Sequence, residues 1–323
     1  MSRFVTLGET MGLIRSDRIG PLNNNSAMIA GIGGAESNAA IALSRLGNDV
    51  SWVGRVGSDD FGRLIERELT AEGITTFGLR GRGPTGLMIK TTPFNGRQDV
   101  SYARTLSAGS ELNTGDISAP DIVAAIEQAE VLHLTGITLA ISGSSREAAL
   151  KAVEIARASG TAVSFDVNHR SKLWSADKAH AAYNELARKV DIVFAGFDEV
   201  RLLLDADSPV DPLDMKSSLD RISELGVRTP VIKEGTLGAW SLDGENVIHA
   251  PAITVDAVDT VGAGDGFAAG FLDAIARGQA ISAALSRGAE VGAFACLTPG
   301  DWEGYPRSSQ LGLLTGSSET VDR

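Results

Sequence analysis

The chain has 323 residues, 43% hydrophobic and 22% charged, which is enough to bury the core of one large α/β domain and does not mark it as disordered, fibrous or disulfide-built. A formal charge of −12 argues against nucleic acid and anionic membranes as partners, so an anionic ligand must be held by local donors. Cys296, the single cysteine, excludes an internal disulfide and a cysteine-rich metal site and fits a reducing compartment.

The N-terminal stretch is broken by Gly8 and Glu9 and has no targeting pattern, and no apolar run reaches the roughly eighteen residues that span a bilayer. A cytoplasmic location is therefore expected. There is no Gly-Lys pair, hence no Walker A loop, and no His-Glu-x-x-His zinc motif.

In chain order, Phe4 to Leu7 read as the first strand of a central sheet. Residues 12–33 hold turn formers and consecutive asparagines without a helical period, which predicts short strands outside that sheet. Gly33-Gly-Ala-Glu-Ser-Asn38 opens a helix that Gly47 stops, with Glu36 and Asn38 in its first turn, placed either to cap or to reach a ligand. Val50 to Gly54 is a strand, and Gly57, Asp59 and Gly62 read as turn, cap and close-contact residues before the next helix. Leu87 to Lys90 and Val100 to Ala103 alternate at strand period around Phe94-Asn-Gly-Arg97, which predicts a hairpin. Residues 12–33 and 77–107 together would build a small sheet folded over the site as a lid.

From Ile117 the pattern is regular: a helix to Ala129, then strands at Val131–Leu134, Thr161–Phe165, Asp191–Phe194 and Pro230–Lys233, with helices Ser144–Ala158 and Ser175–Lys189 between the earlier ones. Continuous apolar strands alternating with helices predict a mostly parallel sheet covered on both faces. A hairpin from Ala239 to Ala250 follows. No linker separates two domains, so residues 1–323 are read as one. Asp166-Val-Asn168-His-Arg170 follows a strand, and its alternation points three polar groups to one side at the sheet edge, where open α/β sheets bind ligands.

The chain is organised around Ala257-Val-Asp-Thr-Val-Gly-Ala-Gly-Asp-Gly-Phe267, read as strand, glycine turn and helix, with Phe267, Phe271 and Ile275 on one helical face. Gly262, Ala263 and Gly264 would leave backbone amides and the positive end of the helix dipole open to an anion; close packing alone would use the same small residues. Asp265, in the first turn, would be kept ionised by the dipole and able to accept a proton.

Asp259-Thr-Val-Gly-Ala-Gly-Asp265 resembles the signature of the ribokinase-type, or phosphofructokinase-B-type, carbohydrate kinases, and the runs beginning at Gly33 and at Gly54 resemble the family's other motifs. Asp166-Val-Asn-x-Arg-x-x-Leu-Trp174, Leu132 to Thr138, Ser107 to Ser110 and Gly300-Asp-Trp-Glu-Gly304 are similar to the 2-keto-3-deoxygluconate kinases within it. The resemblance implies a ribokinase-like three-layer αβα sandwich with a β-sheet lid. It implies Asp265 as the base, Gly262, Ala263 and Gly264 as the anion hole, and Gly34, Ala35, Glu36, Asn38, Met88, Tyr102, Arg104, Arg170 and Asp301 as sugar-acid contacts. Asn168, Lys233, Gly235, Thr236 and Gly238 would serve ATP, with Gly262 and Gly264. Magnesium is expected on the phosphates near Glu199 through water, with Asp198 as a helper. A monovalent cation at Asp259 is a further implication. The activity implied is ATP-dependent phosphorylation of a sugar acid, with a neutral sugar or nucleoside as the alternative acceptor and a homo-oligomer formed through the lid sheet. Arginine suits the acid because its planar fork pairs with a carboxylate through two hydrogen bonds. Two positions depart from the pattern: Met88 replaces a tyrosine, and Gly196-Phe-Asp-Glu199 keeps only the glutamate of an Asn-x-x-Glu motif. His133 and His169 are read as packed rather than catalytic.

Overall fold

The computed structural model describes residues 2–94, 97–204 and 214–316. Among these, thirteen strands form two sheets: β1 (Arg3–Leu7), β2 (Met11–Ser16), β3 (Met28–Gly33), β4 (Asp49–Val56), β5 (Thr75–Arg80), β6 (Leu87–Phe94), β7 (Arg97–Ala103), β8 (Val131–Thr135), β9 (Ala162–Asp166), β10 (Ile192–Gly196), β11 (Thr229–Lys233), β12 (Ala239–Asp243) and β13 (Asn246–Ala250). The large sheet runs β13-β12-β11-β10-β9-β8-β1-β4-β5, parallel from β11 to β5 and antiparallel at the β11–β12–β13 edge. Leu132, Val163, Phe165 and Val193 are fully buried among helices on one face, and Phe4, Trp52, Phe194 and Val231 on the other. This is the three-layer sandwich that the apolar strands predicted.

The small sheet, ordered β3-β2-β6-β7, joins two regions distant in sequence, with β2 parallel to β6 and the β6–β7 hairpin antiparallel. The expected lid range of 77–107 is too wide. Residues 77–80 belong to β5, which pairs with β4 from Ser51↔Thr75 to Val56↔Arg80 at the edge of the large sheet. Backbone pairing decides that assignment, because the half-buried side chains of β5 carry no period of their own.

The helix Ala263–Ala276 packs against the helix Ile281–Ala295 and against the first helix, Ala35–Arg45. Phe271 is fully buried edge-on to Phe194, with ring centroids 5.3 Å apart, so truncating it to alanine would cost about 3–5 kcal/mol. Asp59 caps its helix by accepting from the Gly62 amide at 2.9 Å, as read from the sequence. The single helix expected from Ile117 to Ala129 is split into Thr114–Ile117 and Pro120–Glu127, where Pro120 starts a new first turn.

The strand expected before the glycine turn is absent: residues 251–260 are irregular, with a bend at Val258, and pair with no sheet neighbour. The Val258 and Asp259 amides instead bond to Cys296 O at 2.8 and 3.4 Å. The β-leaning side chains of Ile253 and Val255 line a cavity rather than a ladder. No helix among the described residues is long and apolar enough to cross a membrane.

Candidate active site

Strands β1, β8, β9, β10 and β11 end side by side, and the residues that follow them converge with the helix start at Gly262. The result is a cavity of about 440 Å³ lined by polar groups from the strand ends, the first helix and the small sheet. A second cavity of about 420 Å³ is mostly apolar and lies behind the glycine turn. Lys233, Thr260 and Gly264 line both.

Gly262 caps the helix at φ 80°, and a Cβ there would fall 1.8 Å from Asp301 O, so no other residue fits this turn. Gly264 differs: its nearest neighbour for an added Cβ is Lys233 Nζ at 3.5 Å, ordinary contact, so its bareness serves the open space instead of packing. The Ala263 amide bonds weakly back to Thr260 O at 3.3 Å, while the other first-turn amides have no intrahelical acceptor. Lys233 stands beside this turn with its charge close by.

Asp265 is buried at the floor of the polar cavity. Asn38 Nδ2 donates to its Oδ2 at 2.8 Å and Asn168 Nδ2 to its Oδ1 at 3.2 Å. Asn168 holds a left-handed φ of 38°, a strained conformation of the kind found at working sites. Burial pushes the Asp265 carboxyl up to about 7, with the charge of Asp166 adding and the Asn38 hydrogen bond opposing. The helix dipole therefore does not keep it firmly ionised, as the sequence suggested, because desolvation outweighs it. Such a carboxyl is poised to take a proton near neutral pH.

Gly34, Ala35, Met88, Tyr102, Arg104, Arg170 and Asp301 line the same cavity. Arg104 is ion-paired with buried Glu9, whose other oxygen accepts from Ser107, and it lies over the Tyr102 ring at 5.8 Å. Arg170 is exposed at the rim. Met88 sits directly across the hairpin from Tyr102. Burial pushes the Asp301 carboxyl up to about 7, only partly offset by Lys90.

Glu36 does not reach the ligand space. Its Oε1 accepts from Thr135 at 2.8 Å and Thr138 at 2.5 Å under the strand ends, and the side chain is wholly buried. Asn168 lines the polar cavity, together with Lys233, Gly262 and Gly264. Gly235, Thr236 and Gly238 do line the apolar cavity, together with Ala263, Phe267, Gly292 and Cys296. Glu199 faces the polar cavity with Oε1 accepting from the His169 amide at 2.6 Å and Oε2 from Gly196 at 2.7 Å, while Asp198 points outward. Asp259 meets the ammonium of Lys90. His133 is buried against Ser164 at 3.1 Å, and His169 meets Tyr183 OH at 3.2 Å, both packed as expected.

Sequence reasoning passed over Glu9 and Lys90, and it placed Asp166 at the sheet edge without giving it a role. Asp166 pairs with Lys233 at 2.7 Å, and its other oxygen is buried without a hydrogen-bond partner. Parity could have found Lys90, which lies two residues from Met88 on a strand and so on the same face.

A buried carboxyl on the polar-cavity side of a glycine helix start, with an apolar cavity behind the turn, suits phosphoryl transfer to a hydroxyl. Residues 1–307 match the pfkB family carbohydrate kinases. The chain belongs to that family. It is 34% identical to a 2-dehydro-3-deoxygluconokinase of Bacillus subtilis, over 98% of this chain and 96% of that protein. It is 30% identical to a 2-dehydro-3-deoxygalactonokinase of Haloferax volcanii, over 100% of this chain and 99% of that protein. A solved fructokinase with bound ATP from Xylella fastidiosa shares the fold, with a TM-score of 0.81 and 23% identity over 97% of this chain and 98% of that one. The protein is a carbohydrate kinase with a ribokinase-like fold, a nine-stranded central sheet and a second sheet of four strands.

Proposed function

We propose that this kinase transfers the γ-phosphoryl group of ATP to the terminal hydroxyl of 2-keto-3-deoxygluconate. The observation that carries the reading is that the cavity floored by Asp265 is rimmed by Arg104 and Arg170. Two guanidinium groups above a general base suit an acceptor with a carboxylate at one end and a hydroxyl at the other. Arg104 is already paired with Glu9, so Arg170 carries most of this argument.

In the proposed reaction Asp265 takes the hydroxyl proton, Asn38 and Asn168 hold its two oxygens in place, and the open amides at Gly262 and Gly264 receive the charge on the moving phosphoryl group. The apolar cavity would take the adenine, with Lys233 at its inner end near the phosphates. Magnesium fits Asp166 and Glu199 through its waters, because Asp166 Oδ1 is buried without a partner and both residues line the cavity. When bound it would neutralise phosphate charge. Among the described residues no group of three or more His, Cys, Asp or Glu could hold a metal ion. The small sheet acts as a lid that excludes water. A cytoplasmic location and association of two copies through the lid sheet belong to the same reading.

The test is a panel of sugar acids and neutral sugars with coupled detection of ADP. Fastest turnover of 2-keto-3-deoxygluconate is expected; faster turnover of fructose or ribose would replace it with a neutral-sugar kinase.

A further inference from the structure

The resemblance implies a monovalent cation at Asp259, and the residues present do not fit one. Lys90, on β6 of the small sheet, donates to Asp259 Oδ2, and its Nζ lies 3.8 Å from Asp301 Oδ1. The ammonium and both carboxylates are almost completely buried, with side chains 3–4% exposed. A diffusible cation on Asp259 would have to share this dry space with an ammonium, and like charges at such separations repel strongly where water does not screen them. Arg15, Asp17 and Arg18 line the adjoining cavity of about 450 Å³, where Asp17 pairs with Arg18.

Asp259 is also where three segments are tied together. Its Oδ1 accepts from the Val261 amide at 3.0 Å, one residue before the anion-hole turn, and its Oδ2 accepts from the Gly300 amide at 3.3 Å, one residue before Asp301. The Gln98 side chain, from the small sheet, bonds to the same carboxylate. A carboxylate held by one cation thus sets the position of the glycine turn, of the Asp301 loop and of the small sheet at once.

We infer that Lys90 is the protein's own cation at Asp259, a positioning residue carried by the small sheet that takes the place of a diffusible monovalent cation and fixes the Val261–Gly264 turn. Seating the sheet then assembles the anion hole, so the turn is fully ordered only when the site is covered. The inference rests on the kinase reading of this site and not on the choice of sugar.

The test uses whichever acceptor the wild-type enzyme turns over fastest, so failure of the sugar-acid reading leaves it intact. Wild-type kcat is expected to be the same in potassium chloride and in tetramethylammonium chloride, whose ion is too bulky for the place of an ammonium. In tetramethylammonium chloride, Lys90→Ala should lower kcat about a hundredfold with the KM for ATP little changed, because the turn is misplaced, not removed. Potassium or methylammonium chloride, whose cations can enter through the adjoining cavity, should recover part of that loss, and Lys90→Arg should remain independent of potassium. A wild-type requirement for potassium would overturn the inference, and so would a Lys90→Ala enzyme that keeps full kcat or is slowed equally in every salt. If Lys90→Ala does not fold, Lys90→Gln is read in the same way, and the wild-type salt comparison needs no variant.

Discussion

The two carboxylates at the ends of the glycine motif meet opposite surroundings. Asp259 lies against the small sheet, where burial would raise its carboxyl but the Lys90 ammonium and the Val261 amide outweigh burial and hold it below the usual carboxylate range. Asp265 lies against the first helix, where its hydrogen-bond donors are the neutral amides of Asn38 and Asn168, and burial pushes it up to about 7. One anion is neutralised and immobile, which suits a brace. The other can gain and lose a proton, which suits a base. Identical side chains in one motif thus differ in chemistry because one has a cation as partner and the other does not.

The sharpest way to break this contrast is Asp265→Asn, which removes the proton acceptor and keeps the shape. It should bind sugar and ATP but lose roughly 10² to 10⁴ in kcat. A variant keeping more than about a tenth of wild-type kcat would end the assignment of Asp265 as base.

The same substitution should not weaken the fold. Because the folded carboxyl sits near 7 and the unfolded one near 3.8, the folded chain holds the extra proton between those values; stability falls as pH rises through that window and stays lower above it. Asp265→Asn removes this loss, so its Tm at about pH 8 should exceed that of the wild type. Asp259→Asn should do the reverse, since it leaves the buried Lys90 ammonium only the more distant Asp301 carboxylate, at a cost of up to about 3–5 kcal/mol by denaturant unfolding. Equal shifts for the two variants would erase the distinction.

A smaller effect is expected at the cavity rim. Arg170→Ala should lower kcat/KM about ten- to a hundredfold for a sugar acid and little for the matching neutral sugar, since only the acid leaves an anion unpaired. The same loss for both sugars would remove Arg170 from carboxylate recognition. Met88→Tyr, which adds a hydroxyl opposite Tyr102, should narrow the choice among epimers of the acid.

The finest test is the pH profile. Because the base must be deprotonated, kcat/KM should rise with pH through about 7 and then level off. Asn38→Ala removes a hydrogen bond that opposes the upward shift, so the rise should move to higher pH. An unmoved profile would mean that another group, such as Asp301, sets the limb.

Much of this was legible in the chain because the signals are local. The glycine turn, the helix stop at Gly47 and the Asp166–Asn168–Arg170 alternation each lie within a few residues and state their geometry directly. The pairing partners were not legible: Glu36 turns away to Thr135 and Thr138, Arg104 is taken by Glu9, and the run before the turn lines a cavity instead of joining a sheet.

What the sequence by itself determined is the order of strands and helices and the position of the glycine motif, since apolar period and backbone freedom are properties of neighbouring residues. Only the tertiary structure shows how differently the motif's two aspartates are surrounded. Lys90, distant in sequence, reaches Asp259, and two asparagines from separate elements reach Asp265. Burial and charge in the assembled site set a carboxyl's proton affinity, and neither is written at the residue that carries it.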